Sequence, residues 1–128
     1  MIESLIAVFL TAIAIIGLMP MQDMALRTSS RSDYLGRAVG IMQTELEQQE
    51  AFIMRAANAV TVGAVAPKVV QVSDVAGVEG DATYTVNTTI SQHPASAISW
   101  IASVRVTWTG STNGLQSSII VTRQLAFE

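Results

Sequence analysis

Residues 4–22 read SLIAVFLTAIAIIGLMPMQ, and this run decides the fold because no charged residue occurs between Glu3 and Asp23. A bilayer core of about 30 Å needs roughly 20 helical residues at a rise of about 1.5 Å each. The 19 residues from Ser4 to Gln22 are just long enough to cross it. We therefore predict that residues 1–22 form an apolar helix of membrane length.

The composition supports a membrane-inserted part. The chain has 128 residues, which suits one modest domain, and it is 50% hydrophobic but only 13% charged, with a mean hydropathy of +0.43. Ordinary soluble domains have roughly 25% charged residues. The formal net charge of −3 provides no broad basic field, so we predict no nucleic-acid partner. The absence of cysteine excludes disulfides, thiolate zinc sites and cysteine nucleophiles.

A cleaved secretory signal is the main alternative for this run, but it requires a basic segment before the apolar core and small residues at the cut. Glu3 stands where a basic residue is expected, and MPMQ at residues 19–22 is a poor cleavage site. Pro20 removes one helical hydrogen bond, and Gly17 lies three residues earlier. We predict that the helix can bend or open locally between Gly17 and Pro20.

Residues 23–57 continue the helix with an amphipathic pattern. Apolar residues recur at helical spacing and predict the buried face, namely Leu35, Ala38, Val39, Met42, Leu46 and Ile53. Charged residues fill the other face and predict solvent exposure, namely Arg27, Arg31, Asp33, Arg37, Glu45, Glu47, Glu50 and Arg55. The first part of so long a helix needs lipid or other subunits around it.

Residues 58–128 change to a two-residue period, which predicts a small antiparallel β-domain. Strands are expected around Tyr84–Ile90 and Trp100–Trp108, with both tryptophans facing one core. Ala64–Val72 is expected to be an edge strand or loop because it contains Pro67. The last strand should direct one set of apolar side chains to a single face, namely Leu115, Ile119, Val121, Leu125 and Phe127. The predicted fold class is α+β, a long kinked helix whose second half packs on the sheet.

Candidate chemical motifs are weak. His93 is interpreted as an exposed loop residue, and the acidic loop residues Asp74, Glu79 and Asp81 do not match a calcium-loop spacing. Gly110–Gly114 is predicted to be a hairpin turn, and the glycosylation triplet that begins at Asn87 is interpreted as accidental. We therefore predict no catalytic residue, no cofactor site and no metal site.

Glu3 is the exception, because an acidic side chain at the head of an apolar run is costly in lipid without a partner. In an isolated anchor, the carboxylate could reach water at the membrane surface. In a bundle of such helices, it could instead pair with the terminal ammonium of an adjacent subunit and fix the axial register.

MIESLIAVFLTAIAIIGLMP at residues 1–20 resembles the N-terminal segment of type IV pilins and type II secretion pseudopilins. In that family a glutamate begins the apolar helix, and a helix-breaking proline commonly follows 17 positions later; here Pro20 follows Glu3 by 20 − 3 = 17. The sequence of residues 3–7, ESLIA, is similar to that of minor pilins of the pilus-modification kind. Mature members usually have two further residues before the position of Met1, so the resemblance does not assign the processing site to Met1. Many major pilins also close a loop with a disulfide, which this chain lacks.

The resemblance implies a non-enzymatic subunit of a type IV pilus-like filament in which Glu3 sets the register. The expected partners are other pilin subunits, the inner membrane before assembly, and the pilus or secretion assembly machinery. The expected location is the bacterial inner membrane and then a periplasmic or extracellular filament. The implied filament-core residues are Leu5, Ile6, Val8, Phe9, Leu10, Ile13, Ile15 and Ile16. The alternatives are a type II secretion minor pseudopilin, a single-span anchor presenting a periplasmic binding β-domain, or, least favoured, a tethered enzyme.

Overall fold

The long N-terminal helix is the first element of the structure. The structure is a computed structural model, and it describes residues 1–73, 81–111 and 113–123. Helix α1 covers Ile2–Met54 and so ends three residues before the expected boundary at residue 57. The chain divides into two compact units, Met1–Asp33 and Tyr34–Glu128.

The β-sheet of the second unit is antiparallel throughout its described residues. Its strands are β1 (Gly63–Ala64), β2 (Lys68–Gln71), β3 (Thr83–Gln92), β4 (Ser99–Trp108) and β5 (Leu115–Thr122). Strand β3 pairs with β4, β4 pairs with β5, and β1 and β2 both pair with β3. The predicted α+β class, with one long helix and an antiparallel sheet, is confirmed.

Pro67 divides one edge of the sheet, as its residue type predicts. Ala64 pairs with Thr89 and Lys68 pairs with Val86, so three residues on the edge face two on β3. The amide of Val65 still donates to the carbonyl of Thr88 at 2.9 Å. The edge is therefore a bulged strand in two pieces, because proline cannot donate to the ladder.

The inner face of the sheet packs on the second half of α1 in two clusters. The first cluster joins Ala38 to four buried sheet residues, Tyr84, Val86, Val104 and Val106. The second joins Ile53 to Ala102 and Val121. Both tryptophans lie on the inner face of β4 as predicted, but they do not share one core, because Trp108 packs on the first cluster and Trp100 on the second. They lie at opposite ends of β4, eight residues apart, which is too far for one cluster.

The packed face of α1 differs from the predicted stripe at two positions. Leu35 and Val39 are 37% and 44% exposed, whereas Ala38 and Ile53 are fully buried. Ile41, Met42 and Leu46 complete the contact with the first cluster. The contact is narrower than the apolar pattern because the sheet covers only one side of the helix.

Glycine is required where β4 turns into β5. Gly114 has a φ of +67°, and a Cβ there would lie 2.4 Å from the carbonyl oxygen of Val106. Its amide donates a hydrogen bond to the Ser111 hydroxyl oxygen at 2.7 Å. The described residues of Gly110–Gly114 thus form the predicted hairpin connection between β4 and β5. The expected inward positions Leu125 and Phe127 lie outside the described residues.

Candidate functional site

The apolar part of α1 is the candidate functional site, and every residue of the unit Met1–Asp33 is exposed. The most apolar 18-residue window of the helix has no buried residue, and its length and composition are sufficient to cross a membrane. Helical hydrogen bonding satisfies the backbone internally, which a segment in lipid or among other apolar helices requires.

The eight predicted filament-core residues all project from this part of the helix. Their exposed fractions lie between 52% for Ile6 and 70% for Val8. Successive helical residues are about 100° apart at 3.6 residues per turn, so these positions lie around most of the helix circumference. A helix that is apolar on all sides needs an apolar environment on all sides. This segment is therefore compatible with insertion in a membrane.

The hydroxyl in the middle of the segment, that of Thr11, is locally satisfied. Thr11 donates its hydroxyl to the carbonyl of Ala7, four residues earlier, at 2.8 Å. Such a bond removes most of the cost of placing a hydroxyl in an apolar environment. Thr11 therefore does not interrupt the apolar character of the helix.

Glu3 lies in the first turn of α1. A carboxylate there interacts favourably with the positive end of the helix dipole. Within the part of the chain that the structure describes, the Glu3 carboxylate forms no hydrogen bond or ion pair. Any partner for the carboxylate must therefore come from other residues, from solvent or from another molecule, and its register role stays a prediction.

Gly17 and Pro20 both lie inside α1, which continues through them to Met54. Because proline has no amide hydrogen, the carbonyl of Ile16 lacks its usual donor four residues later. An added Cβ at Gly17 would meet no atom within 4 Å. Pro20 thus leaves one turn of the helix without a hydrogen bond, and Gly17 has no side chain. Local bending of the helix there stays a prediction.

A buried glutamate lies between α1 and the sheet, so the prediction that it belongs to the solvent-exposed face of the helix is wrong. Glu45 is only 8% exposed. Its Oε1 accepts hydrogen bonds from Gln49 Nε2 at 2.9 Å and from the Thr88 hydroxyl at 3.4 Å, and its Oε2 lies 3.8 Å from Lys68 Nζ. The carboxylate is tolerated because it has these partners. It links α1 to both β2 and β3.

Arg123 joins the end of β5 to the end of α1, a contact that no local sequence pattern predicts. Its Nε donates to the carbonyl of Ile53 at 2.9 Å, and its Nη2 donates to the carbonyl of Asn58 at 3.0 Å. The guanidinium also lies 5.1 Å from the ring centroid of Trp100. A cation at the C-terminal end of a helix satisfies free carbonyls and complements the dipole. Arg123 therefore fixes the helix end against the sheet.

Asp81 and Ser73 close the base of the β2–β3 connection. The backbone amide and the hydroxyl of Ser73 donate to Asp81 Oδ2 at 3.0 Å and 2.7 Å. The Ser73 hydroxyl, followed by its amide, holds the pKa of the Asp81 carboxyl below its ordinary value. Asp74 and Glu79, the other members of the acidic group, lie outside the described residues.

The remaining candidates do not form a chemical site among the described residues. His93 lies in the β3–β4 turn, is half-buried rather than exposed, and accepts the amide hydrogen of Ala95 on Nδ1 at 3.2 Å. Asn87 lies exposed in the middle of β3. No group of three potential metal ligands occurs in residues 1–73, 81–111 and 113–123.

No protein-family model, curated protein or solved structure matches this chain significantly. The features of the chain that bear on its function are the apolar helix, its terminal glutamate and the unit Tyr34–Glu128. That unit, in which a helix packs on a sheet, is called the α/β unit.

Proposed function

We propose that this protein is a structural subunit of a type IV pilus-like filament, inserted in the inner membrane before assembly and then packed through residues 4–22. Other subunits of the same kind and the pilus or secretion assembly machinery would be its partners. The protein would have no catalytic role in the filament.

The observation that carries the proposal is the apolar segment of α1, which is exposed on all sides although the chain has a packed core elsewhere. Exposed apolar patches of this extent mark surfaces that bind lipid or protein. In a filament, the segment would exchange its lipid neighbours for the same segment of other copies. Van der Waals packing between helices would replace contacts with acyl chains.

Glu3 favours assembly over simple anchoring. The carboxylate precedes the apolar residues and lacks an ion-pair partner among the described residues. In a bundle of parallel copies, the terminal ammonium of a neighbour would lie near the same level and supply the missing charge. Pairing would then favour one axial offset between subunits, since apolar packing alone tolerates sliding.

A single-span membrane anchor is the second candidate, because the apolar segment also meets the length requirement for crossing a bilayer. In that role the unit Tyr34–Glu128 would be presented in the periplasm as a binding domain. A secretion pseudopilus subunit would use the same assembly contacts as a pilus subunit.

The test of the filament role is the replacement of Glu3 by Leu in cells that assemble surface filaments containing this chain. Incorporation into filaments, measured by immunogold electron microscopy, should fall sharply while the amount of membrane-inserted protein stays unchanged. Asp23→Ala is a matched control, because Asp23 is also an exposed acidic residue of α1 but pairs with Arg27 at 3.0 Å on the helix surface. Such exposed ion pairs contribute little to stability, so the Asp23→Ala variant should assemble normally.

Equal incorporation of the Glu3→Leu variant would remove the register role. Solitary copies in the membrane, under conditions in which filaments form, would support the anchor instead.

A further inference from the structure

The outer face of the sheet, opposite the face that packs on α1, has one charged residue. Side chains alternate along each strand, so the outer face of β3, β4 and β5 carries Asn87, Thr89, Ser103, Arg105 and Gln116 together with further hydroxyl side chains and the paired isoleucines Ile101 and Ile120. These three strands contain no Asp or Glu. The face is therefore rich in hydrogen-bond donors and locally positive, although the chain as a whole has a net charge of −3.

Arg105 lies at the centre of this face. Asn87 is its direct neighbour on β3, and Gln116 is its direct neighbour on β5. Thr89 and Ser103 form the adjacent cross-strand pair, and the five residues line one shallow concavity. The Arg105 guanidinium forms no hydrogen bond or ion pair with any residue that the structure describes. An arginine flanked by amides and hydroxyls is suited to a carboxylate.

The side of α1 that faces away from the sheet supplies carboxylates. Glu47 and Glu50 are both exposed. Gln43 Nε2 donates to Glu47 Oε1 at 3.2 Å, while Glu50 has no ion-pair partner among the described residues. Gly36 and Gly40 lie on the same side by helical spacing, and an added Cβ at either would meet no atom within 4 Å. The helix can therefore be approached closely along an acidic strip.

We propose that the Arg105 face of one copy binds the Glu47 and Glu50 strip of a second copy, an inference that rests on the filament role proposed above. The two surfaces lie on opposite sides of the helix-on-sheet unit, because the sheet packs on α1 through its other face. A contact between two different surfaces is heterologous, so the first copy keeps a free Glu47 and Glu50 strip and the second keeps a free Arg105 face. Such contacts propagate into open assemblies unless they close into a ring. The α/β units would thus add their own contact to the one between apolar helices.

Chemical cross-linking tests the contact directly, because the chain has no cysteine and each variant carries a single thiol. Chains carrying Ala51→Cys, next to Glu50 and one helical turn after Glu47, are co-produced with differently tagged chains carrying Ser118→Cys, on the outer face of β5 opposite Ser103. A short-reach bismaleimide applied to filaments and to membranes should join the two tags. Val69→Cys is the control for Ser118→Cys, because Val69 is 62% exposed but lies on the other edge of the sheet.

Charge reversal tests the chemistry of the contact. Arg105→Glu in the Ser118→Cys chain should lower the yield of cross-linked product by at least ~10-fold, because it places like charges opposite each other. Glu47→Lys with Glu50→Lys in the partner chain should restore the yield. Rescue would also show that the Arg105 variant is folded.

The outcomes separate this contact from the filament role. Filaments that form with no Ala51–Ser118 product, or with equal product from Val69→Cys, overturn the contact and leave the filament role intact. An Arg105-dependent product in membranes of cells that form no filaments supports the contact and removes the filament role. Binding of filaments to alginate that is lost in Arg105→Gln, without the cross-linked product, overturns the contact and assigns the face to an acidic polysaccharide.

Discussion

The two parts of helix α1 are similar in secondary structure and opposite in environment. No residue of Met1–Asp33 is buried, whereas the part from Tyr34 to Met54 buries Ala38, Glu45 and Ile53. The second part is stabilised by its own sheet. The first depends on apolar surroundings that its own unit does not supply. One helix thus joins an exposed apolar part to a part packed on a sheet, and substitutions in the two parts should have different consequences.

The largest expected effect is in the packed part. Ile53→Ala should reduce the free energy of unfolding of the α/β unit by about 2–5 kcal/mol, because it removes a fully buried side chain and leaves a cavity. Ile13→Ala, at a position 55% exposed, is the matched control and should leave that free energy unchanged. Chemical denaturation of detergent-solubilised protein, followed by tryptophan fluorescence, measures both. Equal destabilisation by the two variants would contradict the division of the helix.

A charge in the apolar part of the helix should weaken membrane integration. Leu10→Lys should weaken membrane integration by about 3 kcal/mol, the typical cost of a lysine near the centre of a spanning helix. Val69→Lys replaces a side chain of nearly equal exposure, 62% against 63% for Leu10, and should leave integration unchanged. Resistance of the membrane-bound fraction to alkaline extraction is the measurement. Full retention of Leu10→Lys would show that the segment is not inserted as proposed.

The end of the packed part should depend on Arg123. Arg123→Ala should destabilise the α/β unit by about 1–2 kcal/mol, because it removes two charge-assisted hydrogen bonds and a cation at the helix C-terminus. Arg123→Lys keeps the charge but cannot reach both carbonyls in the same planar geometry. We therefore expect a loss of stability between those of the unsubstituted protein and Arg123→Ala. Denaturation midpoints of the three proteins test the order. Identical midpoints would show that the helix end is held by other contacts.

The smallest effect concerns Asp81. Because its pKa is lowered in the folded protein, its contribution to stability is present above the ordinary carboxyl pKa and is lost as the pH falls through the folded value. Ser73→Ala removes the hydroxyl that donates at 2.7 Å and should raise the pKa of Asp81 toward its ordinary value. NMR titration of the Asp81 carboxyl carbon measures the change. An unchanged pKa would assign the lowering to the backbone amide of Ser73.

The sequence predicted the parts of the fold that follow from local periodicity. The long helix, the strands around Tyr84–Ile90 and Trp100–Trp108, and the divided edge at Pro67 all follow from hydrophobic spacing or from the missing proline donor. The inward positions of β5 that the structure describes, Leu115, Ile119 and Val121, also follow the predicted alternation.

Contacts between distant residues could not be predicted in this way. Glu45 reads as a solvated helix residue, and its burial depends on Thr88 and Lys68, which lie 43 and 23 residues away. The separation of Trp100 and Trp108 into two clusters depends on where Ala38 and Ile53 meet the sheet. The Arg123 contact similarly joins residues 70 positions apart. The apolar segment at residues 4–22 could be predicted because it is an uninterrupted apolar run, which is a local feature of the sequence.

Electron cryomicroscopy of surface filaments from producing cells tests the central claim most directly. We expect residues 4–22 of each copy to lie inside the shaft, in contact with the same residues of neighbouring copies, with Glu3 within ion-pair distance of a neighbour's terminal ammonium. A shaft without this chain, together with single copies in the membrane whose residues 4–22 contact only lipid, would contradict the account.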